Sequence, residues 1–272
     1  MLKSHELDIY GFSKIPFKKC PDIPFMNEER KKSLNSLTNF LNYRGFAVLS
    51  GSSGTGKTML LRYFCNQLQP NENKIIYIPF TDLKATGILQ HICQKIGLQR
   101  SLKKSIMLNS IQEEIKGIFP VNPILILDEI QKISHEALET MRLLTNINFD
   151  EKNYFSVIMA GTDDFIHQLK LRINEPLLQR ITLYSHLTPL SREDTGEYIN
   201  YHIKDAGVQS ELFSQQVLSH IYNITTGIPR LISSLTFASI DIAARQKTTT
   251  VTLEHINEAE TMVMPPKMET FK

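Results

Sequence analysis

The sequence predicts an α/β fold: a phosphate-loop (P-loop) core with a five-stranded parallel sheet, followed by an all-helical lid subdomain. Three observations predict it. Five short apolar runs alternate with segments of helical spacing, the pattern of a parallel sheet with helical crossovers. A glycine-rich loop, Gly51-Ser-Ser-Gly-Thr-Gly-Lys-Thr58, joins the first run to the helical segment after it. Beyond Pro189 the apolar runs stop, and four helical patterns follow one another as far as Met262.

The first strand is expected over residues 46–49 and the helix after the loop over 59–68. Further strands are expected over 74–78, 123–127, 155–160 and 181–184. The middle runs are continuous and branched, as suits strands covered on both faces. Helical spacing fills 86–96, 105–118, 134–146 and 163–171 between them. In the last part helices are expected over 191–206, 215–226, 229–245 and 252–262. Ser191 with Asp194, and Thr252 followed by Glu254 and His255, look like helix starts. The expected division is an α/β nucleotide-binding domain over residues 1–189, a helical lid over 190–262, and a flexible tail over 263–272, where the sequence is polar and broken by proline.

With 272 residues, 42% of them hydrophobic, the chain can bury a substantial core. A net charge of +2 provides no general basic field, so any nucleic-acid binding must use local patches or an assembled oligomer. Cys20, Cys65 and Cys93 are scattered and form no C-x-x-C pair. That suits reduced thiols and argues against a disulfide framework or a zinc site. The opening residues lack the apolar core of a signal peptide, and no apolar run approaches the ~20 residues that span a bilayer. A soluble, cytoplasmic protein is the expectation.

The glycine-rich loop matches G-x-x-x-x-G-K-[ST] at every fixed position. Gly51, Ser52, Ser53, Gly54, Thr55 and Gly56 would close backbone N–H groups around phosphate oxygens. The helix that starts near Met59 would add its positive dipole end. Lys57 is expected at the β- and γ-phosphates of ATP, and Thr58 on Mg2+. The second signal is Ile124-Leu-Ile-Leu-Asp128-Glu129, an apolar strand that delivers two acids to the sheet edge where ligands collect. Asp128 is the candidate for Mg2+, largely through water, and Glu129 for polarising the attacking water. Phosphoryl transfer also needs positive charge near the γ-phosphate. Arg172 and Arg180 follow the fourth strand, and Arg230 stands in Gly227-Ile-Pro-Arg230, where glycine and proline pin a helix start. Each arginine reads equally as a solvated surface residue.

Together these residues resemble an AAA+ ATPase. More narrowly, they are similar to the ExeA-like and TnsC-like ATPases of secretion operons and transposons. The matching residues include Tyr10-Gly-Phe12, Pro16-Phe17, the phosphate loop, Asp128-Glu-Ile-Gln131 and Met141-Arg-Leu-Leu-Thr-Asn146. Ala160-Gly161, Gln179-Arg180-Ile181, Thr188-Pro-Leu190 and Gly227-Ile-Pro-Arg230 continue the match, which covers about residues 8–262. The resemblance implies the five-stranded AAA+ core with the helical subdomain as its lid. It implies Thr162 at the sensor-1 position, and Arg180 as an arginine finger for the neighbouring subunit's ATP, with Arg172 as the alternative. It implies Arg230 as sensor 2, coupling the lid to the γ-phosphate. Residues 10–25 would close over adenine, although Ile15, Pro16 and Phe17 read equally as plain packing.

Secretion relatives often carry Gln-Pro-Glu-Leu where this chain has Thr162-Asp-Asp-Phe165, and they usually continue into a membrane segment. Both differences favour the transposon side. There the resemblance implies an ATP-dependent regulator of DNA transposition. Copies would join with ATP into rings or filaments on double-stranded DNA, mark the target site and recruit a transposase, with or without a target-selection protein. Lys84 and the cluster Arg100, Lys103 and Lys104 would then contact DNA phosphates, although these four read equally as a solvated basic loop. Two alternatives stay open. One is an ExeA-like ATPase that assembles a secretion complex or another protein complex without DNA. The other is a nucleotide-bound adaptor that docks through residues 265–272.

Overall fold

The computed structural model describes residues 9–18, 21, 23–79, 84–147 and 153–263. The elements run α1 (Glu28–Tyr43), β1 (Gly45–Ser50), α2 (Lys57–Gln67), β2 (Asn73–Pro79), α3 (Ala85–Ile96), α4 (Lys104–Gly117), β3 (Asn122–Asp128) and α5 (His135–Thr145). They continue with β4 (Ser156–Gly161), α6 (Asp163–Leu169), α7 (Glu175–Leu178), β5 (Ile181–His186), α8 (Arg192–Asp205), α9 (Gln215–Thr225), α10 (Pro229–Arg245) and α11 (Leu253–Val263). The five strands form one sheet of order β2-β3-β4-β1-β5, and every pairing is parallel. This is the fold class the sequence predicts.

The sheet's order explains its composition. β1, β4 and β3 are interior strands and are buried at every position. Covered on both faces, they read as unbroken apolar runs. β2 and β5 lie at the two edges and alternate in exposure. One apolar core joins Phe46 and Val48 of β1, Leu125 and Leu127 of β3, and Val157 and Met159 of β4 to the inner faces of α3, α4 and α5. Each such fully buried side chain contributes about 1.5–3 kcal/mol of burial.

The chain divides into two compact units. The α/β unit comprises Glu28–Ser53 and Lys57–Leu187, and the helical unit takes the chain from Thr188 onward together with Gly54–Gly56 and the segment before Glu28. In the division expected from sequence, that N-terminal segment belongs to the α/β domain over residues 1–189. It groups with the helices because its aromatic side chains are spent there. Tyr10, Phe12 and Phe25 are buried among Leu190, Ile199, Ile203 and Ile232. The Ser13 N–H and hydroxyl both donate to the Ala206 carbonyl, at 2.8 and 3.0 Å. Lys14 pairs with Asp205 at 2.9 Å. Phe17 stacks at 5.1 Å from the His202 ring, so the packing reading of Phe17 describes its surroundings within this unit.

Among the described residues the four long helices of the helical unit match the four expected, and a serine hydroxyl caps the starts of α8 and α9. The Ser191 hydroxyl accepts from the Asp194 N–H at 3.0 Å. At α11 the cap is inverted, with the His255 ring accepting from the Thr252 N–H at 3.0 Å. The tail expected over 263–272 lies outside the described residues except for Val263, the last residue of α11, and so does Cys20. Cys65 and Cys93 are free thiols. Among the described residues no helix is long and apolar enough to cross a membrane.

Candidate active site

The site starts where β1 ends. Ser50 closes β1, and its hydroxyl lies 2.8 Å from the His186 ring at the end of β5. The Leu187 N–H donates to the Ser50 carbonyl at 2.9 Å, so the last residue of β1 is held from the edge strand. The loop leaves from that anchor. Gly54 and Gly56 take φ of +85° and +101°, left-handed values that suit a residue without a Cβ. The turn delivers Lys57 as the first residue of α2. Lys57 is only 5% exposed, and its ammonium donates to the carbonyls of Gly51 at 2.7 Å and Ser52 at 3.0 Å. A nearly buried cation folded over its own loop, at a helix N-terminus, fits an anionic ligand.

Asp128 ends β3 and is 1% exposed. The Thr58 hydroxyl donates to its Oδ2 at 2.7 Å, and the Tyr77 hydroxyl donates to the same oxygen at 2.9 Å. The Glu129 N–H donates to Oδ1 at 2.9 Å. Burial first, and the Asp128 charge second, hold the Tyr77 phenol well above its usual range, so it stays a donor. Thr58 and Asp128 could thus offer two adjacent oxygens to a hard divalent cation. Among the described residues no group of three or more His, Cys, Asp or Glu gathers as a metal site. A Mg2+ ion here fits as one held by Thr58 and Asp128 with phosphate oxygens and water completing its shell, the usual habit of that ion.

Glu129 is exposed and its backbone is left-handed, with φ 59°. The bend turns the chain out of β3 into the short 3-10 turn Ile130–Lys132. Gln131 donates from Nε2 to the Glu129 carboxylate at 2.8 Å. A carboxylate beside a metal site, held by an amide but open to solvent, can orient a water.

The remaining predicted residues fall in different places. Thr162 directly follows β4, and its hydroxyl donates to Asp164 at 3.4 Å. Because β4 lies between β1 and β3, Thr162 emerges between the loop and Asp128. Arg180 directly precedes β5, at the opposite edge of the sheet from the loop. The six residues of β5 put it roughly 20 Å from that edge at ~3.3 Å per residue. Arg172 is exposed in the 3-10 turn Arg172–Asn174. Within the helical unit the Arg230 N–H donates to the Gly54 carbonyl at 3.3 Å, and a Cβ on Gly54 would meet the Arg230 Cβ at 3.0 Å.

Lys84 precedes α3, whereas Arg100, Lys103 and Lys104 lie at or beyond its far end. The 12 residues of α3 separate them by about 18 Å at 1.5 Å per residue, so the four do not form one patch. Lys104 also pairs with Glu136 at 3.5 Å, which leaves Arg100 and Lys103 as the exposed cations of that junction.

Fold and site together define the class: a P-loop α/β core of the AAA+ kind, whose loop, Lys57, Thr58 and Asp128 suit a nucleotide phosphate with a divalent cation. The family described as the AAA domain matches residues 41–169. General secretion pathway protein A of Aeromonas hydrophila is 31% identical over 231 residues, 82% of this chain and 42% of that protein. The chain therefore spans about two fifths of the length of that curated relative. Among solved structures, Cdc6p from Pyrobaculum aerophilum is similar at a TM-score of 0.71 and 19% identity, over 94% of this chain and 71% of that one. The structure of Drosophila ORC bound to DNA is similar at a TM-score of 0.70 and 18% identity, over 97% of this chain and 67% of that one. At such identities these structures speak for the fold. The expectation of an ExeA-like or TnsC-like family is thus met only at the coarser level, as an AAA domain match over residues 41–169 with similarity to General secretion pathway protein A.

Proposed function

We propose that this chain is an assembly ATPase whose copies join with ATP and part after hydrolysis. The observation that carries it is the position of Arg180. A charge just before β5, at the end of the strands away from the phosphate loop, cannot reach its own loop, but a neighbouring copy could bring its loop to that end of the sheet. In this reading Lys57 and the loop N–H groups hold the phosphates, and Thr58 and Asp128 hold the metal. The metal, when bound, neutralises phosphate charge. Glu129 takes the proton of the attacking water, and Gln131 aims the carboxylate. Thr162 sits beside that water, Arg230 reports on the γ-phosphate through Gly54, and Arg180 stabilises the departing charge in the partner's site, with Arg172 as the alternative.

For the surface on which assembly happens, we favour duplex DNA, with regulation of transposition and recruitment of a transposase as the biological role. Arg100 and Lys103 support this, since two exposed cations repeated through an oligomer make many phosphate contacts. A second reading, assembly of a protein complex without DNA, is favoured by the likeness to General secretion pathway protein A. Co-sedimentation with duplex DNA separates the two. ATP-dependent pelleting that falls steeply with salt is expected. Absence of pelleting with every nucleotide would leave the protein-complex reading.

A further inference from the structure

Asp128 receives three donors, and one of them comes from an unexpected strand. Thr58 belongs to the loop helix and Glu129 is the next residue in the chain. Tyr77 comes from the edge strand β2, which meets β3 in register with Tyr77 opposite Ile126 and Pro79 opposite Asp128. Its hydroxyl shares Oδ2 with Thr58, while Oδ1 is taken by the Glu129 N–H. An ionised carboxylate offers about four lone-pair directions. With three engaged from three sides, the plane of the carboxylate is fixed.

The ring is positioned by its strand. Ile76 and Ile78 point into the core at 1% exposure each, so Tyr77 must project from the opposite face of β2. From there the phenol spans the gap to β3. Nothing in the packing of β2 requires that hydroxyl, because the ring is 36% exposed and a phenylalanine would fill the same space.

We propose that Tyr77 is a positioning residue for the divalent cation: its hydroxyl holds the Asp128 carboxylate in the orientation that lets Thr58 and Asp128 bind the metal together. The inference rests on the metal reading of Thr58 and Asp128 given above. It makes a distinction that a merely structural role would not. Losing the hydroxyl should weaken the metal-dependent part of nucleotide binding and spare the part due to Lys57 and the loop.

The test is calorimetric titration of the whole chain with ADP, in Mg2+ and in EDTA, for the wild type, Tyr77→Phe and Tyr77→Leu. The wild type is expected to bind ADP more tightly with Mg2+. In both variants that tightening should shrink by roughly 10–100-fold, the usual cost of losing a hydrogen-bond partner of a metal ligand, with the EDTA affinity unchanged. Full tightening in Tyr77→Phe would overturn the assignment. An equal loss in Mg2+ and EDTA would overturn it too, as a general structural effect. A wild type with no tightening at all would overturn the metal site itself, and the assignment with it.

Discussion

Leu190 and Gly227 are locked backbone to backbone. The Leu190 N–H donates to the Gly227 carbonyl at 2.8 Å, and a Cβ on Gly227 would lie 2.0 Å from the Leu190 carbonyl oxygen. Gly227 also has a φ of +76°. The contact ties the start of α8 to the start of α10, and so fixes where Arg230 begins its helix.

Gly227→Ala is therefore expected to be severe. The clash is with backbone, which cannot swing away, and the left-handed conformation adds strain. A loss of about 3 kcal/mol or more is expected, a fall of roughly 6–12 °C in melting temperature for a chain of this size. Thermal melting of the variant measures it. A change below about 0.5 kcal/mol, the range of ordinary surface substitutions, would contradict the contact.

His202 predicts a pH dependence. It is 4% exposed, with ring contacts to Phe17, Tyr198 and Tyr201. Burial pushes its pKa down from 6.5 to about 4, partly opposed by the charge of Asp205. Between those values the unfolded chain holds the extra proton and the folded chain does not. Stability is thus full above pH 6.5 and falls as pH drops toward 4. The loss is of the order of 3 kcal/mol. Denaturation at pH 7 and pH 4.5 measures it, and His202→Phe should remove this part of the difference. An unchanged pH difference in that variant would count against His202 as the source.

Lys57→Ala and Glu129→Gln should fail in different ways. Losing the Lys57 ammonium removes charge-assisted bonds worth about 1.5–3 kcal/mol, a fall in ATP affinity of roughly 10–150-fold. Glu129→Gln keeps the shape and loses the base, so binding persists while kcat drops about 10²–10⁴-fold. Nucleotide titration beside a phosphate-release assay separates them. Equal loss of binding in both would remove Glu129 from the role of base.

Arg180→Ala should bind ATP normally and hydrolyse it about 10³-fold more slowly. A mixing experiment is more telling. Lys57→Ala has a poor site but an intact Arg180, and Arg180→Ala has the reverse. Mixed together, the two should recover part of the activity that neither has alone. Recovery in Arg172→Ala mixtures but not in Arg180→Ala mixtures would move the role to Arg172. No recovery in either would argue against a charge supplied by a neighbour.

Much of the site was legible because it is contiguous. The loop, Lys57 and Thr58 lie within eight residues, and Asp128-Glu129 ends an apolar strand whose meaning does not depend on its neighbours. What the sequence hid depends on pairing across distance. Tyr77 reads as an ordinary exposed strand residue until β2 is set beside β3. Helix α1 is faint in the sequence because two of its four buried positions, Arg30 and Ser33, are polar, which dims the apolar period. Ser33 is buried as the hydrogen-bond acceptor of Ser185 on β5, at 2.9 Å. The company kept by Tyr10, Phe12 and Phe25 was also hidden, since aromatic side chains announce burial without naming their partners.

That company has a consequence for how the molecule is made. Tyr10 and Phe12 share their cluster with Leu235 and Ile256, more than two hundred residues further along the chain. Until those later residues are made, Tyr10 and Phe12 lack the side chains that bury them, whereas the α/β unit can close its own core without them. The helical unit's core thus waits on contacts of large sequence separation, and the interval before they form is when a nascent chain is most open to wrong partners.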